Sequence, residues 1–174
     1  MALSDILSGN IIYADDVFGL VPISVQKGGS ESRTSTTTQT VDSSLVLALP
    51  ANTVWDFDFS LFLTGGNNAG DWIGHLEWPA NATCSYAGFS IVDTVTAGSS
   101  GDLQAGPTTR LDSSSPGNSI IFGVSATGSL AVIRGRITVG ATAGNLSLFW
   151  AQNSSNATAT QVLEGSTAVA RRAA

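Results

Sequence analysis

TVWDFDFSLFL, residues 53–63, alternates large apolar side chains with polar ones almost without interruption. Trp55, Phe57, Phe59, Leu61 and Leu63 fall on one face; Asp56, Asp58, Ser60 and Phe62 fall on the other. Successive side chains of a β-strand point to opposite faces, so this period of two predicts an antiparallel strand with one face in a core and one toward solvent. The pattern continues outward in both directions. LVLAL at 45–49 puts Leu45, Leu47 and Leu49 on one side before Pro50 ends the run. TGGNNAGD reads as a hairpin-type loop, after which WIGHLEW at 72–78 returns with Trp72, Gly74, Leu76 and Trp78 together and Pro79 as its stop.

Further strands are expected at CSYAGFSIVDTV (84–95), with Gly88 as a bulge position, and at NLSLFWAQ (145–152). SIIFGVSA (119–126) and SLAVIRGRITVG (129–140), joined by a Thr127–Gly128 turn, read as a pair; in the second, Ile133, Gly135, Ile137 and Val139 alternate with Arg134, Arg136 and Thr138. Two short terminal strands are expected within 158–172, and VPISVQ at 21–26 suits an edge strand because Pro22 lacks a donor. KGGSESRTSTTTQTVDSS (27–44) reads as a polar loop with an exposed β segment near Thr36–Val41, and the Gly/Ser/Pro-rich stretch 96–118 as a long loop. Roughly eight to ten short strands with no convincing helix predict an all-β fold: one single-domain antiparallel β-sandwich, jelly-roll-like, over 21–174.

Composition narrows the function classes. Of 174 residues, 11% are charged, against about 25% in an average soluble domain. A hydrophobic content of 43% excludes disorder, and Cys84 alone excludes a disulfide scaffold. A net charge of −6 argues against sequence-independent binding to nucleic acid, and no apolar run is long enough for a membrane helix. The N-terminus carries Asp5 and no basic residue before an apolar stretch, so synthesis in a cytoplasm is expected rather than secretion through a signal peptide.

The residues that carry chemistry in enzymes are present here without supporting company. His75 is the single histidine, on the strand face it shares with Ile73 and Glu77, and a local hydrogen bond explains it without a metal or a triad. Asp56 and Asp58, with Glu77 on a neighbouring strand, have the types needed for glycoside hydrolysis or calcium binding, but alternation on a solvated face already accounts for them. The glycine pairs 28–29 and 65–66 lack the strand-to-helix context of a phosphate site. Trp55, Trp72, Trp78 and Trp150 have the spacing of core aromatics rather than of a sugar platform, and Cys84 that of a small core residue. Arg134 and Arg136 share an exposed face and are candidates to meet carboxylates of a partner. The expectation is a protein with no catalytic residues, no cofactor and no metal, and not an enzyme.

Residues 1–20 read as an extended N-terminal arm, too apolar to stand alone in water, which should pack either on its own domain, completing the sheet, or on a neighbouring molecule. Ile11, Ile12, Tyr13, Val17 and Phe18 are its candidate contacts with a capsid or a neighbouring subunit, aromatic residues being good interface anchors.

The segment 134–172, RGRITVGATAGNLSLFWAQNSSNATATQVLEGSTAVARR, resembles the C-terminal pattern of many structural proteins of tailed bacteriophages. The matching residues are Gly135, Thr142, Ala143, Gly144, Leu146, Leu148, Trp150, Ala151, Gln152, Ser155, Ala157, Thr158, Thr160, Val162, Gly165 and Ser166. Ala51–Trp55, the acidic-aromatic strand after it and the Trp78–Ala80 turn extend the resemblance to about residues 30–172. The sequence departs from the pattern at its end, where the last strand, Thr167–Ala170, is followed by Arg171 and Arg172. The resemblance implies a jelly-roll or tumour-necrosis-factor-like β-sandwich, often trimeric, located on the virion. It implies a decoration (cement) protein bound as a homotrimer to the major capsid protein on the outer capsid. The alternative it leaves open is a tail-fibre or receptor- or glycan-binding virion protein.

Overall fold

The computed structural model describes residues 21–66, 70–92, 111–113 and 119–173. Twelve strands are found among them: β1 (Ile23–Gln26), β2 (Glu31–Arg33), β3 (Thr40–Leu49), β4 (Val54–Thr64), β5 (Trp72–Glu77), β6 (Thr83–Val92), β7 (Leu111–Ser113), β8 (Ile120–Phe122), β9 (Ser129–Thr138), β10 (Gly144–Gln152), β11 (Thr160–Val162) and β12 (Thr167–Arg172). They form two antiparallel sheets. The large one runs β1-β12-β4-β9-β6-β7, with β11 pairing both β4 and β2; the small one runs β3-β10-β5-β8. Set aside β2, β6, β7 and β11, and the remaining eight strands make two four-stranded sheets, β1-β12-β4-β9 over β3-β10-β5-β8. The first and last of these eight lie side by side, as a jelly roll requires.

The expected alternation is what packs the sheets together. From β4, Trp55, Phe57, Phe59, Leu61 and Leu63 are buried; they belong to one core with Leu45, Leu47 and Leu49 of β3, Trp72 and Leu76 of β5, and Leu146, Leu148 and Trp150 of β10. Each such side chain gives about 1.5–3 kcal/mol on leaving water. Trp72 stacks on Phe122 at 5.2 Å, and Phe57 meets Phe59 edge-on at 6.0 Å.

Two expected hairpins are corrected. β4 and β5 do not pair, nor do β8 and β9: in each case the chain crosses from one sheet to the other. Alternation shows which face of a strand is buried, and crossing over lets two consecutive apolar faces bury each other. Gly88 is not a bulge, because β6 and β9 pair in unbroken register from Thr83 to Val92. A Cβ there would come within 2.7 Å of the Phe122 ring, so the glycine makes room for an aromatic of the facing sheet. The irregular position lies instead in β3, whose register against β10 shifts between Ser147 and Phe149. Inside the stretch expected to be loop, β2 and the start of β3 are strands; within 96–118, Leu111–Ser113 pairs with β6. The last strand runs through Arg172 rather than stopping at Ala170. As expected, β1 is an edge strand, paired in the sheet only with β12.

Gly135 sits where β9 is pressed between β4 and β6. A Cβ would lie 2.3 Å from the Ser85 carbonyl oxygen and 2.7 Å from both the Phe57 ring and Tyr86 Cβ. Backbone cannot retreat as a flexible side chain can, so Gly135→Ala should cost about 3 kcal/mol; chemical denaturation measures this. Burial also pushes the Cys84 thiol up to about 12 and, chiefly by the same cause, the Tyr86 phenol up to about 12. The folded protein then holds protons that the unfolded chain, with ordinary values of 9.0 and 10.0, gives up earlier. Stability should therefore be intact below the unfolded thiol value and decline as the solution is made more alkaline toward the folded values. At about pH 8 a thiol reagent should leave the folded protein unlabelled and react with Cys84 only on unfolding.

Candidate functional site

The alternation that fills the core also decides what the two sheets show outward. On the large sheet, the β4–β9 register sets Asp56 opposite Arg136 and Asp58 opposite Arg134, while β12 brings Arg171 opposite Asp56. Arg136 donates from Nε and Nη2 to the two Asp56 carboxylate oxygens at 2.6 and 2.9 Å. Arg134 Nε donates to Asp58 Oδ1, and Arg171 Nη1 to Asp58 Oδ2 at 3.3 Å. The hydrogen bond from Arg136 holds the Asp56 carboxyl below its usual range. Arg134 and Arg136, candidates to meet a partner's carboxylates, here meet carboxylates of their own chain, because cross-strand neighbours on one face lie within reach.

Further along the same face the charges end. Phe62 lies opposite Leu130, and Val132 lies between Ser60 and Phe89. Phe62 is 45% exposed and Phe89 43%. Leu130, Val132 and Leu163 are half-buried beside them, and Thr127, Gly128 and Glu164 complete a shallow depression against Phe62.

The small sheet also turns apolar side chains outward, with Ala151 buried among them and Gln39 reaching across to His75 and Ser119. Val41 lies opposite Phe149 and Phe149 opposite His75; in the next row Ile121 lies opposite Ile73 and Ile73 opposite Ala151. Val41 is 44% exposed and Ile121 49%. The His75 ring stacks on Phe149 with centroids 5.3 Å apart, its Nδ1 is hydrogen-bonded to Gln39 Oε1, and its Nε2 lies 3.4 Å from Glu77 Oε1. His75 is thereby bound locally on its strand face, as expected. Glu77 stands on this sheet and not beside Asp56 and Asp58, so the three carboxylates lie on opposite sides of the sandwich and do not form a site. Among the described residues, no group of three or more histidine, cysteine, aspartate or glutamate side chains could hold a metal ion. All four tryptophans and Cys84 are in the core. Ile11, Ile12, Tyr13, Val17 and Phe18 lie outside the described residues.

One cluster escaped the sequence reading. Lys27, Glu31, Arg33 and Asp42, all in the stretch expected to be loop, converge beside Trp150. Lys27 is 1% exposed and Asp42 not at all. Burial pushes the Glu31 carboxyl up, but hydrogen bonds from Arg33 and Lys27 outweigh it and hold it below the usual range. The available signal was that the chain's one lysine and three more of its few charges fall between positions 27 and 42.

No family model matches the chain. No curated protein matches it. Among solved structures it is similar to a chain of "Structure of infectious bursal disease virus Gx strain", with 11% identity and a TM-score of 0.21 over 86% of this chain. The match spans 40% of that viral chain.

Because Phe62 points away from the core but is half-covered by its neighbours, Phe62→Asp should lower the unfolding free energy by only about 1 kcal/mol. A urea titration tests this, and a loss several times larger would mean that Phe62 belongs to the core.

Proposed function

We propose that this protein is a structural component of a virion: a decoration protein that binds as a homotrimer to the major capsid protein on the outer capsid of a bacteriophage and reinforces the lattice. The observation that carries the reading is the pair of exposed apolar faces, around Phe62 and Phe89 on one sheet and around Val41 and Ile121 on the other. A protein that cements must touch at least two neighbours, and these faces look out from opposite sides of one rigid sandwich. A well-packed contact on the order of 1,600 Å² suffices for a stable interface. The surface suits permanent contact, since serine and threonine lose less side-chain freedom on burial than lysine or glutamate. Jelly rolls occur in both capsid and lectin domains, so the fold by itself does not choose between them. The tail-fibre or glycan-binding alternative finds no exposed indole among the described residues on which a sugar could stack. In the proposed assembly, Ile11, Ile12, Tyr13, Val17 and Phe18 of the arm clamp a capsid or a neighbouring subunit.

Capsids stripped of this protein provide the test. The purified chain should rebind them as a trimer. Phe62→Asp and Ile121→Asp should keep the fold, and each should abolish either trimer formation or capsid rebinding. Removing residues 1–20 should weaken rebinding while leaving a folded sandwich. A free domain that adheres to host cells and ignores stripped capsids would favour the fibre reading instead.

A further inference from the structure

The Lys27 cluster is an ion pair whose surroundings hold further polar groups in reach of its two members. Lys27 Nζ lies 2.8 Å from Asp42 Oδ1 and 2.9 Å from Oδ2, so the carboxyl carbon between these oxygens is within van der Waals reach of the amine. Glu31 Oε2 is 3.0 Å from the same Nζ, and Arg33 Nη2 donates to the other Glu31 oxygen at 2.7 Å, which leaves Oε2 turned toward the lysine. The backbone N–H groups of Ser44 and Leu45 donate to Asp42 Oδ1 at 3.0 and 3.1 Å, and Trp150 Nε1 donates to Oδ2 at 3.1 Å. An amine, a carboxyl group, a carboxylate on the amine and two fixed N–H donors on one carboxyl oxygen are thus assembled in a site closed to water at Lys27 and Asp42. These are the parts needed for acyl transfer: nucleophile, acceptor, base and oxyanion donors.

We propose that Lys27 and Asp42 condense to an intramolecular amide bond, with Glu31 as the proton carrier. One proton passes from the Lys27 ammonium to Asp42 Oδ2, giving an amine and a carboxylic acid. The amine nitrogen adds to the Asp42 carboxyl carbon, and negative charge collects on Oδ1 against the Ser44 and Leu45 N–H groups. Glu31 Oε2 takes a second proton from the nitrogen and delivers it to Oδ2, which leaves as water. The Nζ–Cγ bond forms, the Cγ–Oδ2 bond breaks, Glu31 returns to its starting state, and no oxidant or cofactor enters. Proximity lowers the barrier once the amine turns out of the carboxylate plane to stand over the carboxyl carbon. The product ties the end of β1 in the large sheet to β3 in the small one, a covalent strap across the open side of the sandwich.

Intact-mass measurement on the purified full-length chain tests this directly. The expected mass, after allowing for the initiating methionine, is that of the sequence less one water, and proteolysis should release a branched peptide joining Lys27 to Asp42. Lys27→Arg should restore the full mass. Glu31→Gln that still melts cooperatively should do the same. A parent protein at its full sequence mass would overturn the proposal and leave the cluster an unreacted ion pair. A water loss mapped to any other residue would overturn it too, and a bond formed equally fast in Glu31→Gln would remove Glu31 from the step.

Discussion

The structure depends on one constraint: the apolar side of β4 must be covered along its whole length. Trp55, Phe57, Phe59, Leu61 and Leu63 make a wall too large for a single sheet to hide, so a second sheet has to lie across it. β3, β5, β8 and β10 do this. The strict period of two then fixes the register, since a slip by one residue would carry this whole set of side chains to the solvent side. With the register fixed, Asp56 and Asp58 have no choice but to face Arg136 and Arg134. The outward charge pairs are thus a consequence of the inward packing.

The same logic explains where charge is permitted. Asp56, Asp58, Arg134, Arg136 and Arg171 are matched with one another on the outer surface of β4, β9 and β12, and Lys27, Glu31, Arg33 and Asp42 are gathered at the side where β1 faces β3. At that side β3 departs from regular pairing, and the freed Ser44 and Leu45 N–H groups turn to the Asp42 carboxylate. An isolated charge buried there would be strongly unfavourable, so each member requires its partners. Among the described residues, exposed apolar side chains stand on the outer sides of both sheets. A surface of this kind offers places to be covered, which fits a life among neighbours.

Much of this was legible from residue order. The buried faces of β3, β4, β5, β9 and β10 follow from alternation, and Pro22 marked the edge position of β1. Sheet membership did not follow, because periodicity identifies a buried face without saying what buries it; hence the two hairpins that proved to be crossovers. Gly88 looked like a bulge because a glycine that admits a distant ring has the same local appearance as one that bends a strand. Lys27 and Asp42 were read as loop because a polar stretch gives no sign that its charges are inside; only their three-dimensional convergence with Trp150 shows it. The outward apolar faces were half visible: Phe62 broke the polar side of its strand, but its company with Leu130 and Phe89 needed the register.

The central claim is that this sandwich serves by being covered, as one brick among many in a particle. The most direct measurement is its copy number in purified virions by quantitative mass spectrometry against the major capsid protein. A component of the capsid lattice should be present at a stoichiometry comparable to that of the major capsid protein. Its absence from the particles, with all of it recovered as free monomer, would contradict the account.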